Sequence, residues 1–302
     1  MERKLSFCLP KPSLMITFAI RPLIMMTAGI STITTNRQTD NMMKRKATLL
    51  VAALLMGAMA TNAIERDTHQ RAWNHHLQQI VFEDKDQGSR GSSIYHAIVP
   101  DPDGYIRRVA RQVMRTLYYS PKDSLPVCHS LHYTLRDDPG ISAKGGNSKQ
   151  TSIFYSTRHV AKAFGDGDTA KVDFETRGVL LHELTHVYQL EPQGIGHYGQ
   201  NPTVTTFIEG MADAVRIACD GFHDGDRPKG GHYTRGYRYT GYFLDWLRRT
   251  YRADFLKRLN YSTRVVIPWN WDGALSYALG QPANAEALWA MYMQAMGEKT
   301  RR

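Results

Sequence analysis

The chain has 302 residues, 42% of them hydrophobic and 22% charged, which is ordinary for a globular protein and leaves room for one large domain or two small ones. Its net charge of +10 invites a nucleic-acid partner. Residues 1–63, however, carry eight Lys and Arg against two Asp and Glu, so the remainder holds a net charge of only +4 and no nucleic-acid partner is expected.

The first 63 residues read as targeting. Lys44-Arg45-Lys46 is a basic start, Ala47 to Ala60 is an apolar run, and Ala58-Met59-Ala60 or Thr61-Asn62-Ala63 offers a small-residue cleavage site. The run is too short to span a membrane, and no Cys follows it to carry a lipid, so no stable membrane anchor is expected. This predicts a signal peptide over about 43–63, preceded by an upstream extension, with a secreted or periplasmic product. The residues from 64 to 302 are then expected to form a single domain. Three cysteines are present, Cys8, Cys128 and Cys219, with no C-x-x-C pair, which removes a thiolate zinc site and a redox motif. After loss of the leader, Cys128 and Cys219 remain as a disulfide or as two separate buried thiols.

Gln70 to Glu83 suits a helix or a lead-in strand. Asp101-Pro102-Asp103-Gly104 is a turn signal, and Tyr105 to Tyr119 a helix with Ile106, Val109, Val113 and Leu117 on one face, ended by Pro121. Leu131 to Leu135 and Thr151 to Ser156 alternate as short strands, with turns at Asp138-Pro139-Gly140 and Gly145-Gly146-Asn147. The second strand is expected at an exposed sheet edge that could take up an extended peptide. A helix follows over residues 178–191, capped by Asp173 or Thr176 and stopped by Pro192 and Gly194. Thr203 to Cys219 is a further helix. Gly221 to Gly231 is a loop, and over 220–231 Asp220, Asp224 and Asp226 offer oxygen ligands without EF-hand spacing. Tyr233 to Leu259 is helical with a break near Ala253, residues 268–280 are an aromatic and Gly segment, and Asn284 to Met296 is a closing helix. The order predicts an α+β fold: a mixed sheet and helix lobe first, a mainly helical lobe second, and a site between them.

That site is carried by His182-Glu183-Leu184-Thr185-His186. Positions i and i+4 share a helix face, so both imidazoles can point at one metal ion, and Glu183 is placed to take a proton from the attacking water. Val179, Leu180, Leu184 and Val187 allow that helix to be buried. A catalytic zinc needs three protein ligands and an open position. Glu209, in Ile208-Glu209-Gly210-Met211-Ala212-Asp213, is the expected third ligand, with Asp213 one turn on to hold the outer nitrogen of a ligating histidine. His197 competes by spacing, but Gln189 and Pro192 stand where a metzincin has Gly and His. Tyr237, or else His232, is the expected donor to the oxyanion.

Gly178 to Gln189, Ile208 to Ile217 and Gly236 to Trp246, together with Leu288-Trp289 and Tyr292, resemble the plant and bacterial basic secretory proteins, a family of secreted zinc peptidases. The resemblance spans about residues 78–296. It implies a gluzincin-like, zincin-type fold with Zn2+ on His182, His186 and Glu209, Glu183 as general base, and a protein or peptide substrate. Two other expectations stand beside it: a secreted binding or defence protein with a metal site and no useful turnover, or a metal-dependent amidase acting on cell-wall or glycan-linked peptides.

Overall fold

The computed structural model describes residues 70–298, all within one compact unit, Asn62–Arg302. The leader expected over residues 1–63 lies outside the described residues. Four strands form one mixed sheet: β1 (Leu77–Asp84), β2 (Cys128–Arg136), β3 (Ser142–Gly146) and β4 (Thr151–Ser156), in the spatial order β1-β2-β4-β3. β1, β2 and β4 run parallel, and β3 runs antiparallel to β4. Thr151–Ser156 is therefore an inner strand. The edges are β1 and, beside Thr151–Ser156, β3, Ser-Ala-Lys-Gly-Gly, whose last two residues read as a turn from sequence. β3 has no alternating apolar pattern, and its strand character comes from pairing with β4 through a hairpin at Asn147, whose side chain accepts from the Lys149 and Gln150 N–H groups.

Alternation decides which face of the sheet is covered. Leu131, Tyr133, Leu135, Ile153 and Tyr155 are buried, and register puts them side by side on one face. The β1-to-β2 crossover carries α1 (Arg90–Ile98) and α2 (Pro102–Leu117). Tyr95 of α1 lies 6.0 Å from Phe82 and 6.3 Å from both Tyr133 and Tyr155, so an aromatic layer seals this face. In α2 the predicted face of Ile106, Val109, Val113 and Leu117 is buried. Its start differs from expectation: Asp101 caps the helix by accepting from Gly104 N, and Pro102 takes the first turn, so Asp-Pro-Asp-Gly is a helix beginning.

After α3 (Thr157–Ala163), the long helix α4 (Thr169–Tyr188) starts at Asp168, which accepts from Ala170 and Lys171 N–H, earlier than the Asp173 or Thr176 cap expected. Gln189, in extended conformation, ends it before Pro192. α5 (Pro202–Ala218) is capped by Asn201 and is buried at every residue from 206 to 217. A helix buried on every side is a core helix, and α5 carries Glu209 and Asp213 through the middle of the protein. α6 (Tyr237–Thr250), α7 (Phe255–Val265), α8 (Trp271–Leu279) and α9 (Ala285–Ala295) complete the helical part, with the expected break between α6 and α7. Phe207 against Trp269 at 4.8 Å and Phe243 against Trp289 at 5.4 Å tie α5 and α6 to the C-terminal segments. Cys128 and Cys219 are both free, with no disulfide between them; Cys128 is buried as expected of a separate thiol, whereas Cys219 is only partly buried. No helix among the described residues is long and apolar enough to cross a membrane.

Candidate metal centre

His182 and His186 leave one face of α4, their rings 4.7 Å apart and nearly perpendicular. Their Nε2 atoms approach to 3.0 Å. Glu209 Oε2, from α5, stands 3.3 Å from the first and 3.6 Å from the second. Three donor atoms thus form a triangle. Ligands about 2.0–2.1 Å from a tetrahedral zinc are separated by about 3.3 Å, so a triangle of this size fits one such ion. Among the described residues, these three are the group of His, Cys, Asp or Glu that comes together in this way, and the loop residues Asp220, Asp224 and Asp226 do not.

The surroundings support the same reading. His182 Nδ1 donates to Asp213 Oδ1 at 2.7 Å, which leaves Nε2 turned towards the triangle. His186 Nδ1 lies 2.7 Å from Gln189 Nε2. The Tyr198 hydroxyl donates to Glu209 Oε1 at 2.5 Å, so one carboxylate oxygen is tied back and the other faces the histidines. Glu183, Glu209 and Asp213 are all nearly buried, at 6%, 4% and 3% exposure. Three buried carboxylates around two imidazoles leave an excess of negative charge that a divalent cation would offset.

The ionisation of these groups reflects that excess. Burial opposes charge on His182, but the Asp213 and Glu209 carboxylates outweigh it and push the ring's pKa up to about 10. Burial would raise the Glu209 pKa; hydrogen bonds from His182, His186 and Tyr198 instead hold it well below the usual carboxylate range. Burial, with Glu209 nearby, raises the Tyr198 hydroxyl, so it stays protonated and can donate. Burial and the three carboxylates raise Tyr237 in the same direction.

A cavity of about 380 Å³ opens over the triangle. Glu183, Tyr198 and Tyr237 line it, and so do Ser142, Ala143 and Lys144 of β3. The structure therefore gathers His182, Glu183, His186, Glu209, Asp213 and Tyr237 at one place. Tyr237 sits with its ring parallel to that of His182, 6.2 Å away, and its φ of 46° is one that a bulky non-glycine residue rarely adopts. The competing histidines take no part in the triangle. His197 is 77% exposed and pairs with Glu191, and His232 bonds to Thr234 and Glu286.

A family model described as a peptidase of plants and bacteria matches residues 77–292. The chain belongs to this family. The matched span runs from β1 into α9 and includes every residue of the centre. Searches of curated proteins and of solved structures each return no match. In this family member two residues at the site carry no sequence signal of their own. Gln189 is three positions past His186, a spacing that places it near the ring, yet it stands out in the sequence only as a departure from the metzincin pattern. Tyr198 lies in an irregular loop, and nothing in its neighbours announces a contact with Glu209.

Proposed function

We propose that the protein is a secreted zinc metallopeptidase of gluzincin type, with a zincin-like fold whose sheet-bearing and helical parts flank the centre. The observation that carries this reading is the convergence of His182 Nε2, His186 Nε2 and Glu209 Oε2 beside the buried Glu183 at the floor of an open cavity. Zinc, when bound by these three residues, supplies a Lewis acid that polarises a carbonyl and acidifies the attacking water. Glu183 takes the proton of that water and passes it to the leaving nitrogen. Asp213 fixes the orientation of His182. Tyr237, with Tyr198 beside it, offers a hydroxyl donor to the developing oxyanion. An extended protein or peptide substrate pairs with the free edge of β3, whose residues 142–144 line the cavity.

Glu183→Gln keeps the shape of the base and removes its proton affinity. It is expected to hold zinc as the wild type does and to lose about 10²–10⁴-fold in kcat on casein or a peptide library. Chelator-sensitive cleavage by the wild type with none by the variant supports the peptidase. No cleavage by a fully zinc-loaded wild type favours a binding protein, and cleavage confined to cell-wall peptides favours an amidase. Export rests on the basic start and apolar run at 44–60. Mass spectrometry of the exported protein is expected to find an N-terminus near residues 59–64, and retention of Met1 would refute the leader as read.

A further inference from the structure

Two charged side chains line the cavity without a part in the metal triangle or the proton transfer: Lys144 and Glu191. Lys144 belongs to β3, and its Nζ turns back to Gly146 O of its own strand at 3.4 Å. Glu191 follows α4. The chain leaves that helix in extended conformation at Gln189, and side chains two apart in an extended segment share a side, so Glu191 joins Gln189 on the cavity wall. The Tyr198 N–H donates to Glu191 Oε1 at 2.8 Å, and the exposed His197 ring reaches the same oxygen at 3.5 Å. Glu191 Oε2 has no partner among the described residues, and the side chain is 39% exposed. Tyr198, held beside it, lines the same cavity and is 51% exposed. A carboxylate next to an exposed aromatic ring suits a cation: the first accepts its N–H groups, and the second attracts it through the ring face. Glu183, Glu209 and Asp213 lie beneath. A divalent cation offsets two of those three charges and Lys144 offsets Glu191, so the cavity stays negative.

We propose that Glu191, with the Tyr198 ring beside it, selects cationic substrates by accepting from an ammonium or guanidinium on the bound peptide. The charge comes from a Lys or Arg side chain or from the peptide's own α-amino group; the recognising chemistry is the same. Water hydrates the open Oε2 in the empty cavity. A neutral side chain laid against it removes that water without replacing its hydrogen bonds, and an acidic one is repelled. A cation replaces them with a charge-assisted hydrogen bond. Lys144 does not cancel this selection, because it comes from another element and no ion pair joins it to Glu191. Glu191 is thus a specificity-determining residue, and this role rests on the peptidase reading given above. Its bond to the Tyr198 N–H gives it a structural duty as well, so a test has to separate its charge from its shape.

Peptide pairs that differ at one position, Lys against norleucine, are to be offered to the zinc-loaded wild type, Glu191→Gln and Glu191→Lys, each pair with its N-terminus free and acetylated. In the wild type, kcat/KM is expected to be about tenfold higher for the charged member. Glu191→Gln, which still accepts from the Tyr198 N–H, is expected to abolish that ratio, and Glu191→Lys to favour a Glu-bearing peptide over its Gln twin. A preference lost on acetylation assigns the charge to the α-amino group, and one that follows Lys or Arg assigns it to the side chain; both support the proposal. Fluorescence anisotropy of the same peptides on zinc-loaded Glu183→Gln reads the preference without turnover. A Glu191 that only holds the Tyr198 loop would alter both members of a pair alike. The same ratio in the wild type and Glu191→Gln, or a wild type that is indifferent to charge or favours acidic peptides, overturns the proposal. The wild-type ratios decide by themselves should both variants fail to fold. A zinc-loaded wild type that cleaves none of the peptides overturns the peptidase reading, and the binding ratios then decide on Glu191; cleavage without a charge preference overturns only the present inference.

Discussion

At the scale of single residues, the charge on His182 governs how the site responds to pH. The ring's pKa rises from 6.5 to about 10 in the metal-free protein, because Asp213 and Glu209 more than offset the effect of burial. A raised pKa stabilises the fold fully below the unfolded value of about 6.5 and ceases to do so as pH rises through about 10. Metal binding works against that proton, which has to leave before Nε2 can ligate. Apparent zinc affinity is therefore expected to rise about tenfold per pH unit over the neutral range, where the ring is still protonated. Chelator competition at pH 6, 7 and 8 measures this, and a flat profile would show that His182 does not hold the proton. The residues of the centre itself were legible because i,i+4 spacing fixes two histidines on one face whatever the fold. Tyr198 and Gln189 were not legible as site residues, because their roles depend on where a loop and a helix end come to rest.

At the scale of elements, the site depends on how closely α5 and α6 approach. Gly210, beside Glu209, lies against Thr240 of α6, and a β-carbon there would fall 2.4 Å from Thr240 Cβ. Thr240 is fully buried and its hydroxyl is bonded to Tyr233 O, so it has nowhere to retreat. Gly210→Ala is expected to cost about 1–3 kcal/mol of stability by overpacking. It is also expected to weaken zinc binding at the proposed centre, since the helix it displaces carries Glu209. Denaturant unfolding and metal titration of the variant read the two effects. The same kind of contact explains elements the sequence did not announce. α1 has a weak pattern, Arg-Gly-Ser-Ser-Ile-Tyr-His-Ala-Ile, yet Ser89 caps it by accepting from Ser92 N. Gly91 in it lets the helix rest on the backbone of Thr157, where a β-carbon would fall 1.9 Å from the carbonyl oxygen. β3 is likewise a strand only because β4 offers it a partner.

At the scale of the whole molecule, the centre joins α4 and α5, and α5 is buried along most of its length. A cation held there links two core helices, and a ligand that binds the native state alone stabilises it by mass action. Chelation is therefore expected to lower the unfolding temperature. The stabilisation lost is about 2.7 kcal/mol if free zinc had stood at a hundred times its dissociation constant. Calorimetry with and without chelator checks this, and recovery on adding zinc separates it from irreversible damage. A partly buried network extends from the same helices: Arg216 of α5 donates to Glu175 of α4 at 2.8 Å, and Glu175 meets His159 of α3 at 3.0 Å. Burial would raise the Glu175 pKa, and its His159 and Arg216 partners hold it lower instead.

Read alone, the sequence already carried the local pattern: the pairing of His182 with His186, Glu183 between them, the carboxylates at 209 and 213, and the helices whose apolar positions recur at 3.6 residues. These follow from covalent spacing and helical period, which need no partner to be read. The tertiary structure alone decided which strand lies at the edge, that Glu209 Oε2 reaches both imidazoles, that Tyr198 holds the other oxygen, and that Gln189 faces His186. Each of those is a contact between segments whose distance along the chain carries no information about distance in space, and packing around a shared core sets it.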